Sequence, residues 1–386
     1  MQPIIAIAKR EIKRLVSKPL YLFSMLFAPL FSALFFLSLM DSGLPVDLPV
    51  AVVDGDNSST SRNLTRRLSA FQQTEVVLQT VSFTEARIAM QEGKIYGIYY
   101  IPKNFSVNAA SGKRPEISFY TNYAYLIAGS LLFRDMKTMS VLAGGAAGLQ
   151  TGMAKGFTED QIKAQLQPIV IDTHHLGNPW LNYSVYLNNT ILPGILQLMI
   201  FLVTIFSIGS ELKMHTSHEW LRMGHYSLTT GLTGKLLPHT IIFTLVGFAI
   251  CTLLYSYCGF PVQTGWCPML SAMFLLVIAS QAVGVMMIGV LPTLRLGLSF
   301  GSLFGMLSFS IVGFSFPVTA MHPALHALSN LFPMRHYFLI YVDQALNGRS
   351  MYYSWTHYLA LLFFLLLPLL VHKHLKRALL SFKYIP

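Results

Sequence analysis

Residues 20–40 read LYLFSMLFAPLFSALFFLSLM, and residues 41–57 read DSGLPVDLPVAVVDGDN. The first stretch has no Asp, Glu, Lys or Arg and is about the ~20 residues that a bilayer-spanning helix requires. The second turns at once to Asp, Gly and Pro, then to the short apolar run PVAVV. A lone membrane helix followed by the start of a folded polar domain accounts for both. The polar character persists to Asn188. Five further apolar runs follow, near 190–209, 237–257, 271–292, 297–317 and 354–371, and none of them contains an acidic or basic residue.

Composition agrees with this division. The chain has 386 residues, of which 53% are hydrophobic and 11% charged. Soluble domains carry about 25% charged residues. The expected fold class is therefore an α-helical membrane protein with six transmembrane helices in a 1 + 5 arrangement and an inserted mixed α/β domain over 41–188. Its parts would be an amphipathic surface helix over 1–19, a first span over 20–40, the insert, a five-helix block over 190–371, and a basic tail over 372–386. The five-helix block includes a 211–235 loop and a re-entrant-like outer segment over 318–353.

The basic residues orient the chain. Lys9, Arg10, Lys13, Arg14 and Lys18 precede the first span. Lys213, Arg222 and Lys235 lie in the 211–235 region, Arg295 in the next turn on that side, and Lys373, Lys376, Arg377 and Lys383 in the tail. The short loops of the opposite side hold only Arg335 and Arg349. Short segments rich in Lys and Arg stay inside, whereas long translocated domains do not count. Both termini are expected in the cytoplasm and 41–188 outside. The net charge of +11 needs no nucleic-acid partner, because basic inner flanks beside anionic membrane lipid account for most of it. The start resembles a secretory signal, but its apolar run is too long and no small-residue cleavage site follows, so an uncleaved anchor is expected.

Within residues 3–18, Ile5, Ala8, Ile12 and Leu15 form one stripe and Lys9, Arg10, Lys13 and Arg14 the other, the pattern of a helix lying on a membrane surface. The insert reads as strands at 49–53, 75–81, 95–101 and 116–120, with 169–172 a further candidate. Helices are expected at 58–71 and 84–92, and over 123–165 with an interruption at the glycines of 144–148. Strands alternating with helices suggest a small sheet with helices on it.

Candidate chemistry is sparse. Asp54 and Asp56 suit a turn for backbone reasons. The pairs His174-His175 and His322/His326 are incomplete as metal sites. Cys258 and Cys267 share a short outer loop, where an oxidising compartment would permit a disulfide; two inert thiols are the other reading. Five N-x-Ser/Thr sequons (Asn57, Asn63, Asn104, Asn182, Asn188) would matter only in a eukaryotic secretory pathway. Gly234-Lys235 is not a phosphate loop, since Thr229 stands where the first glycine belongs and Leu236 where Ser/Thr is needed. The 211–235 loop, ELKMHTSHEWLRMGHYSLTTGLTGK, combines polar residues with an exposed Trp220. Thr216 or Ser217 would cap a short helix ended by Gly224, a shape that can dock into a groove of a soluble partner. With no ionisable group in any span and no nucleotide motif, the chain shows no energy source of its own.

The chain resembles the permease subunits of ABC-2 type exporters, in the subgroup with a large extracytoplasmic domain after the first span. The resemblance is carried by AKREIKRLVSKP (8–19), PVAVVDGDNSSTSRNLTRRL (49–68), EGKIYGIYYIPKNFS (92–106) and LFPMRHYFLIYVDQALNG (331–348). In the inner loop it rests on Glu211, Thr216, Glu219-Trp220-Leu221, Ser227 and Gly234-Lys235, with Pro238 just after. It implies a multi-pass subunit of the cell inner membrane that exports a drug, lipid or envelope component and is not itself an enzyme. A separate ABC ATPase would bind ATP and Mg and contact the 211–235 loop and the N-terminal helix. A second permease, identical or a sister chain, would complete the path, and a periplasmic adaptor protein would meet the outside domain. Glu211, Glu219 and Trp220 become ATPase-coupling candidates, with Arg222 added by adjacency. No catalytic, cofactor or metal residue is implied. The alternative is a non-transporting envelope scaffold or sensor that binds a partner through its outside domain.

The orientation is testable by labelling single cysteines. A membrane-impermeant maleimide should modify Ser111→Cys in intact cells and Lys213→Cys only in inverted vesicles.

Overall fold

The computed structural model describes residues 2–111, 113–167, 169–174 and 176–381. They form two compact units: Met1–Asp41 with His175–Pro386, and Ser42–His174. The residues from 176 to 188, which the sequence pattern grouped with the insert, belong with the helical unit, because a long helix already begins at Tyr183.

In the unit Ser42–His174, strands β1 (Leu48–Asp54), β2 (Thr74–Thr80), β3 (Gly97–Ile101) and β4 (Ser118–Thr121) form one sheet in the order β2-β1-β3-β4. β1 pairs in parallel with both β2 and β3, and β4 is antiparallel to β3. β1 is apolar on both faces because both are covered. Val50 and Val52 pack with Leu64, Leu68, Leu132 and Met136, whereas Ala51 and Val53 pack with Ala86 and Ile98.

Two helices thus cover one face, α3 (Ser59–Leu68) and the N-terminal half of α6 (Leu126–Ala154), and α4 (Phe83–Gln91) covers the other. A short α5 (Phe105–Ala110) follows β3, and α7 (Glu159–Leu166) returns along α6. The glycines at 144–148 do not interrupt α6, which runs unbroken. Gly152 there serves close approach: a Cβ would lie 2.6 Å from the Ile162 side chain of α7. Residues 169–172 join no strand. Asp54 takes the turn role expected of it. Its Oδ1 accepts from the Asp56 and Asn57 N–H groups at 3.0 and 2.9 Å, and its Oδ2 from Ser61 Oγ at 2.6 Å. Ser58 and Ser61 close a reciprocal cap on α3.

The other unit holds six helices long and apolar enough to cross a membrane: α2 (Pro19–Leu39), α8 (Tyr183–Lys213), α10 (Leu228–Tyr257), α11 (Trp266–Val290), α12 (Leu294–Ile311) and α15 (Met351–Leu370). α8 and α11 are the most enclosed, and α2 and α15 present mostly outward faces. α2 widens over Phe23–Phe27, where the Ala28 N–H bonds back to Phe23 O, just before Pro29, which has no N–H to return. Its phenylalanines 23, 27, 31 and 35 stack in a ladder on the exposed face.

Shorter helices complete the unit: α1 (Gln2–Ser17), α9 (Ser217–Met223), α13 (Pro323–Ser329), α14 (Pro333–Tyr341) and α16 (His372–Leu380). The 318–353 segment does more than lie across the bundle end. α14 buries Met334, Tyr337, Ile340 and Tyr341 in the main core. Arg335 Nη1 donates to Val312 O at 2.7 Å, satisfying a carbonyl at the end of α12.

Removing the Asp54 carboxylate leaves two turn N–H groups and a cap hydroxyl without their acceptor. Asp54→Ala should destabilise the sheet unit by about 1–3 kcal/mol, read as faster hydrogen exchange of the β1 and β3 amides in the full-length protein.

Candidate functional site

Charged side chains converge where α8 ends and α10 begins. α1 lies along α10 there, burying Ile7, Ala8, Glu11 and Leu15. This differs from the stripe expected for a helix resting on a membrane surface. Ala8 and Leu15 face the bundle, but Ile5, Ile12 and Val16 form a separate exposed apolar strip. The burial of Glu11 explains the difference. A carboxylate that finds cations inside the bundle turns its own helix face inward.

The close approach is set by glycine. A Cβ at Gly234 would sit 2.9 Å from the Ile4 carbonyl oxygen and 2.9 Å from Ile7 Cβ. One turn earlier, a Cβ at Gly231 would lie 2.4 Å from the Trp220 ring. Gly231 and Gly234 thus allow α9 and α1 to lie directly against α10.

Between these helices, Glu11 is 1% exposed, and Glu211, Lys235 and His239 are wholly buried. Lys235 Nζ lies 2.7 Å from Glu11 Oε2 and 3.0 Å from Glu211 Oε1. His239 Nε2 and Ser207 Oγ both reach Glu11 Oε1, at 3.1 and 3.0 Å. An ionised carboxylate only accepts, so His239 donates through Nε2. Arg10 holds Glu211 as a fork, Nη1 to Oε1 at 2.7 Å and Nη2 to Oε2 at 3.1 Å, and its Nη2 also reaches Glu219 Oε2 at 2.9 Å. Arg14 pairs with the same Glu211 carboxylate. Thr216 Oγ1 donates to Glu211 Oε2 at 2.5 Å. Lys235 also stands 5.9 Å from the Trp220 ring centroid, within cation–π range. Burial alone would push the Glu11 carboxyl up. The hydrogen bond from His239 and the charge of Lys235 outweigh it and hold the group well below the usual carboxylate range.

Two expectations change here. The spans are not free of ionisable groups, because α8 and α10 extend beyond their apolar runs to include Glu211 and Lys235. Trp220 is not exposed; it is fully buried. Neither Thr216 nor Ser217 caps α9 with its side chain. Thr216 is drawn to Glu211, and Ser217 Oγ donates to Leu379 O of α16 at 2.7 Å.

The four coupling candidates therefore separate by depth. Glu211 and Trp220 are internal, whereas Glu219, with a side chain 64% exposed, and Arg222 face outward. The sequence pattern missed the partners Arg10, Glu11, Arg14, Lys235 and His239. Glu11 in an otherwise basic helix, at an inward position, was the available signal.

The remaining candidates stay apart. Cys258 and Cys267 are free thiols. His322 Nδ1 accepts from the Ala324 N–H at 3.3 Å, a helix cap, and His326 is exposed. His174 pairs with Asp172 at 3.1 Å; His175, like Lys383 of the basic tail, lies outside the described residues. Asn188 is buried and thus closed to glycosylation as folded. Among the described residues no three His, Cys, Asp or Glu side chains gather as a metal site.

Lys235→Met would leave two buried carboxylates short of a cation and should cost about 3 kcal/mol or more, seen as a lower thermal midpoint in detergent. Glu11 is depressed in the folded protein. Its contribution is therefore complete above the usual carboxylate range and is lost as pH falls through and below that range. Exchange of the α1 amides should accelerate at acid pH, and Glu11→Gln should flatten that dependence.

No curated protein matches the chain. The family model described as ABC-2 family transporter protein matches residues 19–371. That match takes in all six long apolar helices and the sheet unit between the first and second. The chain therefore belongs to the ABC-2 family of transporter proteins, as a multi-pass membrane permease component of an ABC transporter whose family implies an ABC ATPase partner.

Proposed function

We propose that this chain is the permease subunit of an ATP-driven exporter, moving an amphiphilic drug, lipid or envelope component outward with energy from a separate ATPase that binds ATP and Mg. The observation that carries the reading is the mounting of α9. Trp220 is buried against Gly231, Ser217 is tied to α16, and Glu219 is tied through Arg10 to Glu211. A seven-residue helix on a surface would ordinarily fray. Here it is clamped to two membrane helices and points Glu219 and Arg222 at solvent, which suits an element that receives a push and passes it on.

In this reading the ends of α8 and α10 that carry the charged cluster face the cytoplasm of a cell inner membrane, together with both termini. The unit Ser42–His174 lies on the opposite side, where an adaptor protein would bind. A second permease, identical or related, completes the path. Glu219 and Arg222 contact the ATPase; Glu211 and Trp220 hold the contact in place. The buried charges leave the energy argument intact. Glu11, Glu211 and Lys235 pair with one another and with Arg10 and Arg14, so they serve as a structural knot and not as a relay for a driving ion.

The test is co-purification from native membranes in mild detergent. The unmodified chain should bring down a soluble ATPase, and Glu219→Ala with Arg222→Ala should reduce its recovery about tenfold with normal membrane insertion. Undiminished recovery would remove the contact assigned to α9. Solute movement down an ion gradient by the purified chain alone would remove the ATPase from the account.

A further inference from the structure

Arg10 stands between two carboxylates of different character. Its Nη2 is shared, 3.1 Å from Oε2 of the buried Glu211 on α8 and 2.9 Å from Oε2 of the exposed Glu219 on α9. Its Nη1 is committed to Glu211 at 2.7 Å. One guanidinium N–H group pair therefore divides between a fixed acceptor inside the bundle and an acceptor that a partner can reach. The helix bearing Arg10 is seated on α10 through Gly234 and held by Glu11 to Lys235 and His239. Whatever shifts Arg10 acts on the whole of α1, and α1 acts on α8 and α10 together.

We infer that α1 is the element that transmits partner contact to the membrane helices, with Arg10 as the switch point. A basic side chain of the ATPase engaging Glu219 draws that carboxylate away and leaves Nη2 wholly to Glu211, which tightens α1 on α8. Loss of the contact returns Nη2 to the shared position. Glu219 and Arg222, three residues apart on one short helix, present one charge of each sign. They fit a partner with a lysine or arginine opposite the first and a carboxylate opposite the second. Arg10 is a positioning residue in this scheme, since it acts through Glu211 and Glu219 without touching substrate or nucleotide. The inference rests on the proposed ATPase partnership and adds to it the route by which the contact is felt.

The first arm uses the permease alone. Glu219→Gln removes the exposed carboxylate, and α1 amide exchange should change severalfold, about 5-fold or more; unchanged α1 exchange overturns the inference whether or not a partner is known. The second arm uses the complex with the ATPase that co-purifies. Arg10→Lys keeps one charge for Glu211 but lacks the fork needed to span both carboxylates. ATPase recovery and thermal midpoint should match the unmodified complex, whereas permease-dependent ATP hydrolysis falls about tenfold. Full hydrolysis by a fully assembled Arg10→Lys complex overturns the transmission route and leaves the partnership standing. Absence of any ATPase with the unmodified chain defeats the partnership itself. Should Arg10→Lys misassemble, Arg10→Gln measured beside Glu219→Gln decides the matter in the first arm: equal, non-additive effects on α1 exchange support the link, and additive effects refute it.

Discussion

Two carboxylates inside a membrane protein set the terms for everything around them. Glu11 and Glu211 are almost wholly removed from water, and an isolated charge in such a place would neutralise or drag water in with it. Both are matched by cations from other helices. Lys235 reaches both, Arg10 and Arg14 reach Glu211, and His239 and Ser207 complete Glu11. Such a knot adds little net stability compared with an apolar core. What it adds is a single permitted arrangement, because any other register of α1 leaves a buried charge unpaired.

The same constraint explains the glycines. Ion pairs at 2.7–3.0 Å require backbones close enough for short reach, and Gly231 and Gly234 supply the space on α10. Lys235 follows Gly234 directly. The sequence places the small residue that admits α1 beside the cation that holds it. Trp220 fills the gap over Gly231 and shares its ring face with Lys235. The loop between α8 and α10 is thereby a rigid continuation of the bundle, and only its outward charges, Glu219 and Arg222, are free to meet another protein. The sheet unit is built on a different principle. There β1 is apolar on both faces, covered by helices from each side, and Asp54 serves the turn that starts the first of those helices.

Much of the architecture was legible in residue order. The long apolar runs announced their helices, and PVAVV at 49–53 announced a strand buried on both faces. The Asp54-Gly55-Asp56 cluster announced the turn. The errors lie at element ends and on helix faces. α8 and α10 extend several residues beyond their apolar runs, since a helix continues into polar sequence when its charges find partners. The glycines in α6 did not break it, because a helix anchored at Leu131, Leu132 and Met136 tolerates a locally weak stretch. The strip Ile5, Ile12 and Val16 stays outside although it is apolar, because Glu11 claims the inward face.

Residue order alone determined that this is a helical membrane protein with a polar α/β unit following its first apolar helix, because hydropathy over twenty residues and strand–helix alternation are local properties that need no neighbour to be read. It also marked the 211–235 stretch as unusual. Only the tertiary structure decided which residues of that stretch are internal and which face solvent, and that the N-terminal helix belongs to the same device. Arg10 and Glu211 are 201 positions apart, and Glu11 and Lys235 are 224 apart. Pairing over such distances depends on how the helices pack, and one chain read in order carries no direct record of which distant charges will meet.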